Sequence, residues 1–154
     1  MAYPDELIAR ILELSPGPDV LDVGCGTGIE ARQLQAAGAS VLGVEPDARM
    51  AEYARSRGLV VEESRFEDWD AAGRTFDAVV AAQAWHWVDP VAGAAKVSDL
   101  LRPGGLFAAF WNVYEPPAPV GDALLEGLKD VVPDLPLGLG AMTQADKTYE
   151  EGAR

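Results

Sequence analysis

From residue 4 to residue 111, short apolar runs alternate with longer segments in which apolar positions recur three and four residues apart. The second pattern marks amphipathic helices, and the first marks strands covered on both faces. The spacing predicts a helix over 4–14, with Pro4 in the first turn, Asp5 and Glu6 at its positive end, and Leu7, Ile8, Ile11 and Leu12 on one face. Ser15-Pro16-Gly17-Pro18 stops it, and 20–23 is a strand. A helix over 28–37 closed by Gly38, a strand at 41–44, and a helix capped by Asp47 that runs to Arg57 follow. Strands are expected at 59–61 and 76–81. Asp89-Pro90 is an N-cap with proline at N1 and opens a helix to about residue 101. Arg102-Pro103-Gly104-Gly105 breaks that helix, and 106–111 is a fifth strand.

Strands and helices that alternate along most of the chain, joined by short connections, make right-handed crossovers. The expected fold is therefore an α/β, Rossmann-like, doubly wound and mostly parallel sheet of five strands, with helices on both faces. After residue 112 the character changes to a proline-rich turn, a short helix near 122–132 and an acidic Pro/Gly-rich tail with no strand pattern. The expected organisation is a core at 1–112 and a tail at 113–154, either in the same domain or partly disordered. The fifth strand, Leu106-Phe107-Ala108-Ala109-Phe110-Trp111-Asn112, would be an apolar edge. Such an edge invites pairing unless the tail or a second copy covers it, so a homodimer through this strand is one expectation.

Composition narrows the function. The 154 residues suit one domain, and a formal net charge of −13 argues against nucleic acid and anionic membrane as partners. A single cysteine excludes an intrachain disulfide. The charged start lacks the apolar stretch of a signal peptide, and no run is long enough to span a bilayer, which gives a cytoplasmic expectation.

Candidate chemistry centres on Val20-Leu21-Asp22-Val23-Gly24-Cys25-Gly26-Thr27-Gly28, a strand running into three alternating glycines and then a helix. In a doubly wound sheet the ligand crevice lies beyond the carboxyl ends of the strands. Gly24, Gly26 and Gly28 would let a ligand lie against the backbone, and the helix start offers free N–H groups. A phosphate loop would need a lysine, which is missing here, and a dinucleotide fingerprint would need glycine where Ile29 stands. Cys25 reads as a small residue filling the turn.

This stretch resembles the first motif of the class I S-adenosylmethionine-dependent methyltransferases, especially the type 11 small-molecule group. Gly43-Val44-Glu45-Pro46-Asp47 resembles the second motif, Thr75–Val80 with Gln83–Pro90 the fourth-strand region, and Leu100–Gly105 the signal before strand five. The resemblance covers residues 3 to 112. It implies S-adenosyl-L-methionine as cofactor and a methyl transfer to a small-molecule acceptor. It implies further that Glu45 takes the ribose hydroxyls, beside Pro46. Asp22 would reach the ammonium or the glycine-loop amides, with a structural role as the alternative. Ser64–Trp69, including Phe66 and Glu67, would cover the adenine, although Arg65 stands where the family has an aspartate. Gln83 would face the methionine end. His86 would be a general base or would only shape the pocket, and Trp87 is expected in the core. The antiparallel strand pair and lid helix usual in the family are not evident. Two alternatives remain at this point: a cofactor-binding core with an incomplete acceptor site, and an NAD-dependent oxidoreductase.

Overall fold

The most continuously apolar segments lie at the centre of the sheet. Strand β1 (Asp19–Val23) pairs in parallel with β2 (Ser40–Glu45) on one side and β4 (Phe76–Ala82) on the other, while β3 (Val60–Glu63) and β5 (Leu101–Phe110) complete the order β3-β2-β1-β4-β5. The reversal of winding direction falls between β1 and β4, as the parallel, doubly wound expectation requires. In this computed structural model the described residues are 2–112, together with Pro117, Pro119, Val120, Ala123, Glu126 and Gly127. Met1–Trp111 form one unit. The expected tail helix, its cover over β5 and any added strand pair fall almost wholly outside the described residues.

Period-two alternation along the strands sends side chains to two cores. Val20, Val41, Val61, Ala78 and Val80 pack under Ile8 and Ile11 of α1 (Asp5–Leu14), Ala31 and Leu34 of α2 (Ile29–Ala36), and Ala51 and Ala54 of α3 (Ala48–Ser56). On the other face, Leu21, Val23, Val44 and Val79 meet Val97 and Leu100 of α4 (Pro90–Leu100), with Phe66 and Trp69 from the loop after β3. Helix starts obey side-chain capping. Asp47 Oδ1 accepts from the N–H groups of Arg49 and Met50 at 2.9 and 3.1 Å, and Asp89 Oδ1 from those of Val91 and Ala92 at 3.0 and 2.7 Å.

Two elements differ from expectation. Strand β3 reaches Glu63 because an edge strand needs only one apolar face, so Glu62 continues it without an apolar signal. Strand β5 begins at Leu101, opposite Phe76, and then loops out so that Leu106 stands opposite Ala78. Arg102-Pro103-Gly104-Gly105 is thus an irregularity within the strand rather than a break before it. Gly104, at φ +80, takes a backbone conformation that other residues enter only at a cost. The loop also aims Arg102 at the amino ends of β1 and β4, where its Nη1 meets Asp19 Oδ2 at 2.9 Å and Asp77 Oδ2 at 2.8 Å.

Candidate functional site

At the carboxyl ends of β1, β2 and β4 lies a cavity of about 760 Å³. Its floor is the glycine turn. Gly24 sits at φ +69, and a Cβ there would lie 2.6 Å from the Cβ of Ala84, so only hydrogen fits. Gly26 sits at φ +53, and a Cβ there would meet no protein atom nearer than Met50 Sδ at 3.9 Å, so the backbone itself forms the wall. Gly28 does not line the cavity; its missing side chain makes room for Leu59 and Arg32 instead.

Glu45 ends β2 and is buried beside this turn. Its Oε2 accepts from the Gly26 N–H at 2.8 Å and its Oε1 from the Asp47 N–H at 2.9 Å. Each carboxylate oxygen keeps acceptor capacity toward the cavity, which is what a pair of adjacent hydroxyls needs. Asp22, next to the end of β1, is 1% exposed, and neither of its oxygens has a hydrogen-bond partner among the described residues. Burial, reinforced by the charge of Glu45, holds its carboxyl well above the usual range. Burial pushes the Cys25 thiol up as well, and its sulfur fills the space over Gly43; this is a packed thiol, with none of the activation a nucleophile needs.

Pro46, Phe66, Glu67 and Gln83 also line the cavity. Phe66 belongs at the same time to the core, and the Lys96 ammonium lies 5.3 Å from its ring centroid. Glu67 Oε1 accepts from the Asp89 N–H at 3.0 Å, which ties the loop after β3 to the start of α4. Gln83 holds φ +58, a left-handed conformation rare outside glycine, while its N–H donates to the Phe110 carbonyl at 2.9 Å. Strain of this kind concentrates at functional sites.

The stretch after β4 departs from expectation. Trp85–Trp87 form a short 3₁₀ turn in which Trp85 packs between Phe66 and Phe107, at 6.3 and 4.6 Å between ring centroids. Trp87 was expected in the core, yet it is 78% exposed and stands at the cavity wall, because the tight turn places one indole inward and the other outward. His86 is exposed and is not among the lining residues. Its Nδ1 accepts from the Trp111 indole N–H at 3.1 Å, so the neutral ring carries its proton on Nε2.

Tyr3 and Glu30 also line the cavity, and neither was expected there. Glu30 could have been found, since it lies four residues before buried Leu34 and so shares the buried face of α2. Tyr3 gave no local signal. Gln33 brings it in, with its Oε1 accepting from the Tyr3 N–H at 2.9 Å and its Nε2 donating to the Tyr3 carbonyl at 2.8 Å.

A family model described as "Methyltransferase domain" matches residues 20–105, more than half of the chain. The chain belongs to the class I S-adenosylmethionine-dependent methyltransferases. Curated methyltransferase relatives include an uncharacterized one of Mycobacterium tuberculosis, 36% identical over 116 residues, or 74% of this chain and 47% of the relative. A ubiquinone biosynthesis O-methyltransferase of Methylocella silvestris is 38% identical over 116 residues, covering 70% of this chain and 44% of the relative. The chain therefore spans about half the length of these methyltransferases. Among solved structures, a chain from Anaeromyxobacter dehalogenans described as a type II methyltransferase superposes with TM-score 0.71 at 28% identity, covering 90% of this chain and 60% of that one. An amino pentose methyltransferase of Micromonospora echinaspora, solved with S-adenosylmethionine bound, gives TM-score 0.60 at 31% identity over 69% of this chain and 49% of that one.

S-adenosyl-L-methionine is the cofactor of this methyltransferase family, and the residues present fit it. The cavity is of the size that encloses a ligand of that class. Gly26 leaves a cradle that a Cβ would fill, Glu45 offers two acceptors, and Asp22 is a buried acid in want of a cationic partner. The methyltransferase assignment sets aside the dinucleotide reading. Among the described residues no group of three or more histidine, cysteine or acidic side chains could hold a metal ion, and no helix is long and apolar enough to cross a membrane.

Proposed function

We propose that this protein transfers a methyl group from S-adenosyl-L-methionine to a small-molecule acceptor that is not yet identified. The observation that carries the reading is the Gly26–Glu45 hydrogen bond of 2.8 Å, which sets a bare backbone and a two-acceptor carboxylate side by side on one cavity. When bound, the cofactor supplies an electrophilic methyl on a cationic sulfur. The chain's own task is alignment and exclusion of water. Glu45 receives the ribose hydroxyls. Gly24, Cys25 and Gly26 give the floor on which the ligand lies, and Gly28 serves it indirectly by admitting the helix start close beneath. Pro46 and Phe66 enclose the adenine, with Glu67 fixing the loop that carries Phe66. Arg65 lines this end where the family carries an aspartate, so recognition of the base falls to the backbone N–H of Phe66 rather than to an acidic side chain. Gln83 faces the methionine end and Asp22 its ammonium.

His86, outside the cavity lining and with Nδ1 engaged by Trp111, is not assigned the role of base in this reading. An acceptor that is already nucleophilic needs no dedicated base. The relatives named for ubiquinone biosynthesis and for an amino pentose are consistent with a small acceptor. A net charge of −13 supports the absence of nucleic acid among its partners and does not oppose a cationic cofactor. The reading includes a cytoplasmic location, a cofactor-binding core at 1–112 with a tail at 113–154, and a homodimer paired through the β5 edge. Calorimetric titration with S-adenosylhomocysteine and with NAD tests the cofactor. Saturable binding of the first alone is expected, and binding of NAD alone would sink the proposal. A screen of amine and hydroxyl acceptors then tests turnover.

A further inference from the structure

Three side chains lining the cavity, Asp22, Glu30 and Tyr3, form a group of which the nucleoside reading uses only Asp22. Glu30, the second residue of α2, is 3% exposed, and neither of its carboxyl oxygens has a hydrogen-bond partner among the described residues, as is also true of Asp22. Both line the cavity, and Tyr3 lines it with them. Gln33 holds the backbone of Tyr3 through two hydrogen bonds, and Phe110 meets its ring edge-on at 5.2 Å between centroids. The arginines of α2 and α3 are engaged elsewhere: Arg32 donates to the Thr27 carbonyl at 2.7 Å, Arg49 pairs with Asp47 Oδ2 at 3.3 Å, and Arg55 donates to the Val61 carbonyl at 3.0 Å.

A buried acid without a donor is rare and costly, and two facing one cavity call for a shared cationic partner. We propose that Asp22 and Glu30 form a two-carboxyl seat for the ammonium at the amino-acid end of the bound nucleoside, that Tyr3 closes this seat, and that filling it expels a proton. The proposal rests on the methyltransferase reading. In the step itself a carboxyl O–H bond breaks, the electron pair stays on oxygen, the proton passes to buffer, and the ammonium supplies the countercharge.

The surrounding titratable groups favour a protonated empty seat. Burial raises the Glu30 carboxyl far above its ordinary range and the Asp22 charge raises it further; burial, then Glu30 and Asp22, raise the Tyr3 phenol. Glu45 from β2 and Cys25 from the turn are acids too, and neither offers a positive charge. Arg65 and Glu67 enter the cavity from the loop after β3, where Arg65 Nε lies 3.9 Å from Glu67 Oε2.

Calorimetry of the full chain at neutral pH, run in two buffers of different ionisation enthalpy, counts the protons released. The probes are S-adenosylhomocysteine, which carries the amino-acid end, 5′-methylthioadenosine, which lacks it, and ethylamine added to the methylthioadenosine complex. Proton release with the first nucleoside and none with the second is expected. Glu30→Gln is expected to abolish that release and to weaken S-adenosylhomocysteine about tenfold, the scale of one charge-assisted hydrogen bond, while leaving methylthioadenosine affinity unchanged. Glu30→Leu gives the same readout should the amide variant fail to fold. Equal release by the two nucleosides, or unchanged S-adenosylhomocysteine binding in both variants, would overturn the seat. Release with ethylamine alone would assign the seat to an acceptor amine and overturn the cofactor assignment. If neither nucleoside binds the unaltered protein, the methyltransferase reading itself falls.

Discussion

Asp19 and Asp22 stand three residues apart on β1, yet they meet opposite conditions at the two ends of the sheet. At the amino end, Asp77 Oδ2 accepts from the Asp19 N–H at 3.0 Å and from Arg102 at 2.8 Å, and Arg102 also pairs with Asp19. Every acid there has a donor, and those contacts hold the Asp77 carboxyl below its usual range, the Asp19 N–H contributing most. At the carboxyl end, Asp22 and Glu30 are more deeply buried and have no donor among the described residues, beside backbone held at positive φ at Gly24, Gly26 and Gln83. The same chemistry is satisfied where it ties strand ends together and left without a donor where the cavity lies. The partnered acids and the cavity occupy opposite ends of one sheet.

Four changes would break or sharpen this contrast. Gly24→Val has the largest expected effect. The left-handed backbone and the clash with Ala84 together cost about 3 kcal/mol, measurable by urea unfolding. Glu45→Ala comes next, with S-adenosylhomocysteine affinity falling about a hundredfold, or about 2.7 kcal/mol, as two acceptors for the ribose disappear. Retained affinity in a folded Glu45→Ala variant would disconnect that carboxylate from the cofactor. Asp77→Asn should cost about 1–2 kcal/mol at neutral pH, with the difference vanishing in acid. The sign follows from the lowered carboxyl: the folded chain keeps Asp77 ionised where the unfolded chain has already taken up a proton, so its contribution is lost as pH falls.

Glu30→Leu should do the reverse and stabilise the free protein, by about 1 kcal/mol, since it removes an unpartnered buried acid. Here the carboxyl is raised, so folding retains a proton that the unfolded chain gives up. Stability is then lost as pH climbs from the ordinary carboxylate range toward and past neutrality, and thermal melts of the variant should show a flatter decline than those of the parent. A parent whose melting temperature rises across that window would refute the protonated seat.

The sheet was legible in the sequence because its central strands are apolar on both faces and its helices carry ordinary caps at Asp47 and Asp89. The placement of Glu45, Gly24 and Gly26 at the cavity was legible for a related reason, since local backbone demands leave local residue signatures. The start of β5 was hidden because a Pro-Gly-Gly loop inside a strand looks the same in sequence as a loop before one. Trp87 was misjudged because size and apolarity do not reveal which side of a tight turn an indole takes. Tyr3 was invisible, as its place depends on Gln33, thirty residues away. Glu30 was legible in principle, since its spacing from Leu34 already put it on a covered face.

The chain's one sulfhydryl lies in the glycine turn, buried and with its ionisation suppressed. An alkylating reagent can attack it only during moments when that turn swings open and water reaches the sulfur. The rate of labelling is therefore a clock for local opening, present without any engineered probe. Slowed labelling on addition of a nucleoside would report how firmly the turn is latched.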